Sequence, residues 1–302
     1  MSGPVSAQEA AQAPTHGLPS PLAQAQSSAL ALARSFLFVP GNRPERFAKA
    51  LASGADAVII DLEDAVPLDA KDAARTALRN AWTAFDAAER ARLLVRVNPA
   101  GTPWHAADLA ALGSLPGLGA LMLPKAENAQ QVEHAFMASG VPVLPLIESA
   151  EGVGQMDAMA RAPGVLRLGL GHIDLQVDLS MSCGPDEAEL APIRVALVVA
   201  SRRAGLPAPV DGVTTATIDA DVLARDAQRS RRFGFAAKLC IHPAQVAGVH
   251  QALAPTEPEC AWAERVLAAE VQAQGGAFSV DGKMVDPPVL LLARQILQLR
   301  ER

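Results

Sequence analysis

Val143-Leu-Pro-Leu-Ile-Glu148 and, one helical segment later, Val165-Leu-Arg-Leu-Gly-Leu-Gly-His-Ile-Asp174 decide how this chain is read. Each is a short apolar run ending near a carboxylate, and residues 152–160 between them are patterned as a helix. The order strand, acid, helix, strand, acid is one turn of a β/α repeat. Parallel neighbouring strands would bring Glu148 and Asp174 to the same sheet edge. That edge, at the carboxyl ends of the strands, is where β/α proteins build their sites, and two carboxylates with open coordination positions suit a hard cation such as Mg²⁺. Taken singly, Glu148 serves equally well as a helix cap and Asp174 as the start of a turn.

Working outward, apolar strand patterns recur at residues 35–39, 57–61, 93–97 and 118–123 before this pair, and at 208–213 and 236–241 after it. Helical spacing fills residues 44–51, 70–84, 128–138, 190–204 and 218–233, with Pro44 at a helix start and Asn98-Pro99 closing the third strand. Eight strands alternating with helices, without a linker, is the count of a single (β/α)8 TIM barrel over residues 34–254. Residues 1–33, rich in Ala, Gln, Pro and Ser, have the composition of a disordered tail. Residues 255–302 read as helix, hairpin on Asp281-Gly282, and helix: a C-terminal lid or oligomerisation segment. It is expected to be too small for a core of its own and so to pack on the barrel or on a neighbouring subunit.

At 302 residues with 50% hydrophobic content, the chain is long and apolar enough for a sizeable core. A formal charge of −6 without Lys/Arg runs gives no electrostatic basis for nucleic-acid binding. Cys183, Cys240 and Cys260 are too widely spaced for a zinc site or disulfide framework, and no segment has the length of a membrane span or the form of a signal peptide. A cytoplasmic protein acting on small molecules is expected. With no Tyr, proton transfer falls to Asp, Glu, His, Lys or Cys.

Arg96 lies inside an apolar strand, where it either faces an anion or points out to solvent. Lys125 and Lys238 close strands, where they would contact an anionic substrate group or, less in keeping with a metal site, form a Schiff base. Gly169-Leu-Gly171-His172 imitates half of a dinucleotide fingerprint, but Asp174 stands where the third glycine would be and would repel pyrophosphate. The glycines suit close approach of backbone N–H groups to a small carboxylate instead. His242, after strand eight, reads as a structural hydrogen-bonding residue at the rim.

Six segments in order, Arg34-Ser-Phe-Leu-Phe-Val-Pro-Gly41, Asp61-Leu-Glu-Asp-Ala-Val66, Val95-Arg-Val-Asn98, Leu123-Pro-Lys125, Ile147-Glu-Ser149 and Gly282-Lys-Met-Val-Asp286, together resemble the citrate lyase β-subunit family, which includes malyl-CoA and citramalyl-CoA lyases. The resemblance implies a barrel that binds Mg²⁺ (or Mn²⁺) through Glu148 and Asp174 and cleaves or forms a C–C bond beside a thioester. It places Arg96 over the metal to stabilise the thioester enolate, with Glu63 and Asp64 orienting Arg96 and water on the metal. Gly171, His172, Lys125 and Lys238 would contact substrate. Asp286 would be the acid/base at the acetyl carbon, delivered by the lid across the interface of a homo-oligomer, expected to be a trimer; read locally, Asp286 is a helix cap. Family members that are true citrate lyase subunits have Gly-Ala-Glu-Asp where this chain has Gly171-His172-Ile173-Asp174. Losing that acid favours a stand-alone lyase acting on a CoA thioester over a subunit acting on citryl acyl carrier protein. A barrel without catalysis, serving as a binding module, is disfavoured by the presence together of Arg96, Glu148, Asp174 and Asp286.

Overall fold

In a computed structural model, which describes residues 29–273 and 278–300, the eight strands close into a parallel barrel in sequence order. They are β1 (Ser35–Pro40), β2 (Ala57–Asp61), β3 (Leu93–Arg96), β4 (Ala120–Leu123), β5 (Val143–Ile147), β6 (Gly169–Leu170), β7 (Val210–Asp211) and β8 (Ala237–Cys240). Closure is made by β1 against β8, with Phe36 opposite Leu239. Helices follow the strands and cover the outside, as the α/β reading requires.

Strand side chains alternate between two cores. Phe36, Ile59, Leu94, Met122, Leu144 and Leu239 fill the barrel, while Leu37, Val58, Ile60, Val95 and Leu121 face the helices. Burying an Ile or Leu fully is worth about 1.5–3 kcal/mol, so each strand is fixed in phase from both sides. That phase decides the site. Two residues beyond an inward Ile59, Leu94 or Leu146 come Asp61, Arg96 and Glu148, all carried inward at the carboxyl end. Lys238 has the opposite parity: it lies between inward Ala237 and Leu239, is 1% exposed, and donates from Nζ to the Gly212 carbonyl at 2.7 Å. The expectation that Lys238 contacts substrate, or forms a Schiff base in the barrel, is thereby corrected.

The tail reading also needs correction where it reaches residues 29–33; residues 1–28 lie outside the described residues. Ala29–Leu32 form a short helix whose Leu30 is fully buried in the inner core. Arg167 fastens it, donating from Nη1 to the carbonyls of Leu30 (3.2 Å) and Ala33 (2.7 Å) and from Nε to that of Ala208 (2.8 Å). Five apolar residues are too few to show a period, so only the open barrel floor reveals their role.

Strand six is shorter than its apolar run: Val165 makes a single bridge to Val143 before β6 begins at Gly169. Helices Ala87–Ala91 and His105–Leu112 have no counterpart in the sequence reading; the first starts with a capping box of Asp86 and Glu89.

After the helix Gln245–Leu253, the C-terminal segment comprises helix Glu257–Ala273, the hairpin β9 (Phe278–Val280) and β10 (Lys283–Val285), and helix Pro287–Arg300. Asp281 and Gly282 both have positive φ, 53° and 74°, as the two-residue turn requires. Contrary to expectation, the segment does bury a small core of its own, from Cys260, Ala263, Val266, Val285, Ala293 and Ile296. An Arg231–Glu259 ion pair at 2.9 Å ties it to the barrel's outer layer. Among the described residues no helix is long and apolar enough to cross a membrane.

Candidate active site

Asp61, ending β2, and Arg96, ending β3, stand opposite each other in strand register. The Arg96 guanidinium donates from Nε to Asp61 Oδ1 and from Nη2 to Oδ2, both at 2.7 Å, a two-point clamp that fixes its plane. Nη1 lies 3.0 Å from Glu63 Oε2 and 3.5 Å from Asp64 Oδ2. Phe38 of β1 packs beneath, its ring centre 4.8 Å from the guanidinium carbon. Burial works against the charge of Arg96, but the hydrogen bonds and charge of Asp61, with Glu63 and Asp64, outweigh it and raise the pKa. Arg96 is therefore a fixed cation, and the solvent-facing alternative is excluded.

The acidic loop after β2 turns on Asp61, whose carboxylate also accepts from the backbone N–H of Glu63 (2.9 Å) and Ala65 (3.0 Å). Lys71, buried at the start of helix Lys71–Trp82, donates from Nζ to the carbonyls of Leu62 and Glu63, each at 2.7 Å. Glu63 is thus turned inward and buried. Its Oε2, close to Arg96, makes no well-directed hydrogen bond. Burial pushes its pKa up to about 7, with Arg96 opposing.

Glu148, just past β5, is also buried, and Oε1 accepts from the backbone N–H of Lys125 at 2.7 Å. Lys125 adopts a left-handed φ of 48° to present that N–H, a conformation that costs a non-glycine residue about 1 kcal/mol. Its Nζ reaches 3.5 Å from Glu63 Oε1. Gly171 leaves room on the other side: a Cβ there would fall 2.2 Å from Glu148 Oε2. Helix His172–Asp178 begins immediately after and holds Asp174, exposed, in its first turn. Burial and then the charge of Glu63 push the Glu148 pKa up to about 8, with Asp174 adding to the effect.

These groups line a cavity of about 420 Å³ at the carboxyl-terminal mouth of the barrel, shared by Asp61, Asp64, Arg96, Glu148 and Asp174 with Phe38, Leu146, Ile173, Val213 and Ile241. A larger groove of about 900 Å³ runs outside the barrel between helices Ala220–Phe233 and Gln245–Leu253. It lies away from the strand ends and its Arg231 is already paired with Glu259, so size does not locate the chemistry.

His172 lines the mouth, but its ring is wedged against Gly212, where a Cβ would fall 2.0 Å from Nδ1, and its Nε2 lies 3.5 Å from Glu187 Oε1. Glu187 is in turn gripped by Arg194 and Arg229. His242 is outside the cavity lining; its Nδ1 accepts from the Ala244 backbone N–H at 3.2 Å, a structural role as read from the sequence. Asp286 accepts from the Val289 N–H at 3.2 Å, capping the last helix, and does not line the cavity of its own chain. The structure thus gathers Arg96, Glu63, Asp64, Glu148, Asp174, Gly171, His172 and Lys125 around one mouth and leaves Lys238 and Asp286 outside it. Asp61, the main partner of Arg96, shows in the sequence only as a strand end.

A family model described as HpcH/HpaI aldolase/citrate lyase matches residues 34–243, the whole span that builds this mouth. The chain belongs to that family. It is an enzyme of the citrate lyase β-like, oxo-acid lyase kind. A citrate lyase subunit beta-like protein of Deinococcus radiodurans is 39% identical over 278 residues, 88% of this chain and 97% of the relative. A (3S)-malyl-CoA thioesterase of Cereibacter sphaeroides is 35% identical over 272 residues, covering 89% and 94%. The crystal structure of the CitE protein of Mycobacterium tuberculosis in complex with magnesium, acetoacetate and coenzyme A superposes with a TM-score of 0.80 at 37% identity, covering 90% of this chain and all of that one (100%).

Proposed function

We propose that this enzyme is a Mg²⁺-dependent carbon–carbon lyase that splits a 3-hydroxyacyl-CoA thioester of the citramalyl-CoA or malyl-CoA type into a 2-oxo acid and acetyl-CoA. The observation that carries the reading is the juxtaposition, in one mouth, of a clamped cation with a separate pair of carboxylates that, among the described residues, form no side-chain ion pair: Asp61 and Glu63 occupy Arg96, while Glu148 accepts from the backbone N–H of Lys125. The residues fit the metal. Carboxylates outnumber cations around the cavity, with Asp61, Asp64, Glu148 and Asp174 set against Arg96, and burial first, then the charge of Glu63, raises the Glu148 pKa, a cost that a divalent ion at its carboxylate would offset. Glu148 and Asp174 would hold it. Once bound, Mg²⁺ would supply Lewis-acid polarisation at the oxygens of the 2-oxo acid half.

The chain's own groups do the rest. Cleavage turns the 3-hydroxyl into the oxo group as its proton passes to water in the open mouth, and the electron pair of the broken C–C bond passes to the thioester as an enolate. Arg96, fixed in plane and unable to lose its proton, stabilises the enolate oxygen without reorganising. Glu63, Asp64 and Asp61 keep the guanidinium aimed, and Lys71 keeps the loop that carries them. Asp286, brought by the lid of a neighbouring copy in a homo-oligomer, we propose to be a trimer, protonates the enolate carbon; in its own chain it is outside the cavity lining. Read in reverse, the same groups condense acetyl-CoA with a 2-oxo acid. The magnesium in the M. tuberculosis relative supports the metal assignment. The thioesterase relative makes it necessary to assay free CoA as well as acetyl-CoA.

The test is purified protein with (S)-citramalyl-CoA and malyl-CoA. Equal amounts of 2-oxo acid and acetyl-CoA should form with Mg²⁺ or Mn²⁺, and none in excess EDTA. Full activity with EDTA overturns the metal reading.

A further inference from the structure

We infer that the cavity selects a 2-oxo acid half bearing an uncharged alkyl substituent, and that Ile173, Val213 and Ile241 set this preference. The inference rests on the lyase reading above and adds to it the class of 2-oxo acid. Around the closed barrel the charges run from Asp61 on β2 and Asp64 in its loop, through Arg96 on β3 and Glu148 past β5, to Asp174 in the helix after β6. The opposite arc, from β7 through β8 to β1, presents Val213, Leu239, Ile241 and Phe38. Ile173 and Ile241 remain 42% and 40% exposed at the mouth, apolar surface that a substrate would cover. Ile173 directly precedes Asp174, so a molecule held at the carboxylate pair meets Ile173 before any part of the thioester arm does.

No free cation lines that arc. Arg96 is the sole Lys or Arg in the cavity lining among the described residues, and it is committed to Asp61 and Glu63. Lys238, in the strand between Val213 and Ile241 on the barrel wall, points outward to the Gly212 carbonyl. A second carboxylate on the 2-oxo acid would be stripped of water against isoleucine without a partner. A methyl or ethyl group would be covered instead, and one methyl group in such a pocket is worth about 10-fold or more in selectivity. Pyruvate- and 2-oxobutyrate-type halves are therefore accepted, oxaloacetate-type halves are rejected, and glyoxylate leaves the apolar arc bare.

Isothermal titration calorimetry of the full-length chain in Mg²⁺ reads this without turnover, using pyruvate, 2-oxobutyrate, glyoxylate and oxaloacetate. The first two should bind at least about 10-fold tighter than the last two. Ile241→Arg, at a half-open rim position, should tighten oxaloacetate by about 10-fold or more, and Ile173→Ala should narrow the gap between pyruvate and glyoxylate. Melting temperatures of both variants confirm that they fold. Binding of all four acids with equal affinity, preference for oxaloacetate, or a ranking that neither substitution moves overturns the inference and leaves the lyase reading standing. Absence of binding by every 2-oxo acid, with no Mg²⁺-dependent cleavage of either thioester, overturns both.

Discussion

Arg96 carries its charge in a frame that a lysine cannot reproduce, since the two parallel hydrogen bonds to Asp61 need a planar, forked donor. Enolate charge develops only as the C–C bond breaks, so Arg96→Lys should lower kcat by about 100-fold, the scale of one lost oxyanion donor, and change KM by much less. Steady-state kinetics checks this, and a raised KM with wild-type kcat would reduce Arg96 to a carboxylate binder. Lys71 acts one step further back. Lys71→Met removes the Nζ donor from the buried Leu62 carbonyl, at about 1–3 kcal/mol, and leaves the Glu63 carbonyl with the Val66 N–H alone, and should lower the melting temperature together with kcat. Arg96 and Glu148 stand out in the sequence because a charge at the end of an apolar strand is conspicuous, and Asp174 because it closely follows the next apolar run. Asp61 reads correctly as a strand end but not as the partner of Arg96, and Lys238 reads wrongly as facing substrate: β2 is apolar up to Asp61 and β8 offers one charge among apolar residues, so neither sequence carries an alternation to set the phase. Only the closed barrel shows that Asp61 points in and Lys238 out.

At the scale of elements, the long periodic helices, the strand order and the hairpin on Asp281-Gly282 are readable, whereas helices Ala29–Leu32, Ala87–Ala91 and His105–Leu112 are not. Val165 to Leu170 looks like a full strand, yet only Gly169–Leu170 pair regularly, where the chain drops Arg167 to the barrel floor. The floor helix Ala29–Leu32 gives a direct test. A chain starting at Arg34 should melt about 3 °C or more below one starting at Ala29, since losing buried Leu30 alone costs about 1.5–3 kcal/mol. The lid poses the other question at this scale. Asp286 is a helix cap within its own chain, as its local sequence suggests, and its proposed catalytic role needs a second copy. Asp286→Asn, which can still cap, should keep the fold while losing most turnover. Mixing it with Arg96→Ala subunits should restore part of the activity if the site is shared. Turnover near wild type in Asp286→Asn would leave the cap as its sole role, and no recovery after demonstrated subunit exchange would place the lid over its own barrel.

For the molecule as a whole, the barrel concentrates negative charge at one mouth, and this links metal binding to pH. The carboxyl pKa values of Glu63 and Glu148 are raised, to about 7 and about 8, above an ordinary 4.5, chiefly by burial. Their contribution to stability is therefore fully present below about pH 4.5 and is lost as pH rises through 7 and 8. Metal binding needs Glu148 ionised, so its stabilising effect grows across the same window. Melting temperatures in Mg²⁺ and in EDTA should diverge from pH 6 to pH 8, and a gap independent of pH would contradict the linkage. The most direct test of the site itself is an anomalous difference map from crystals grown with Mn²⁺. The expected result is one peak bridging the carboxylates of Glu148 and Asp174, with Arg96 still clamped to Asp61. A peak at Asp61 and Glu63 instead, or no peak at saturating Mn²⁺, would contradict a metal-dependent lyase built on this mouth.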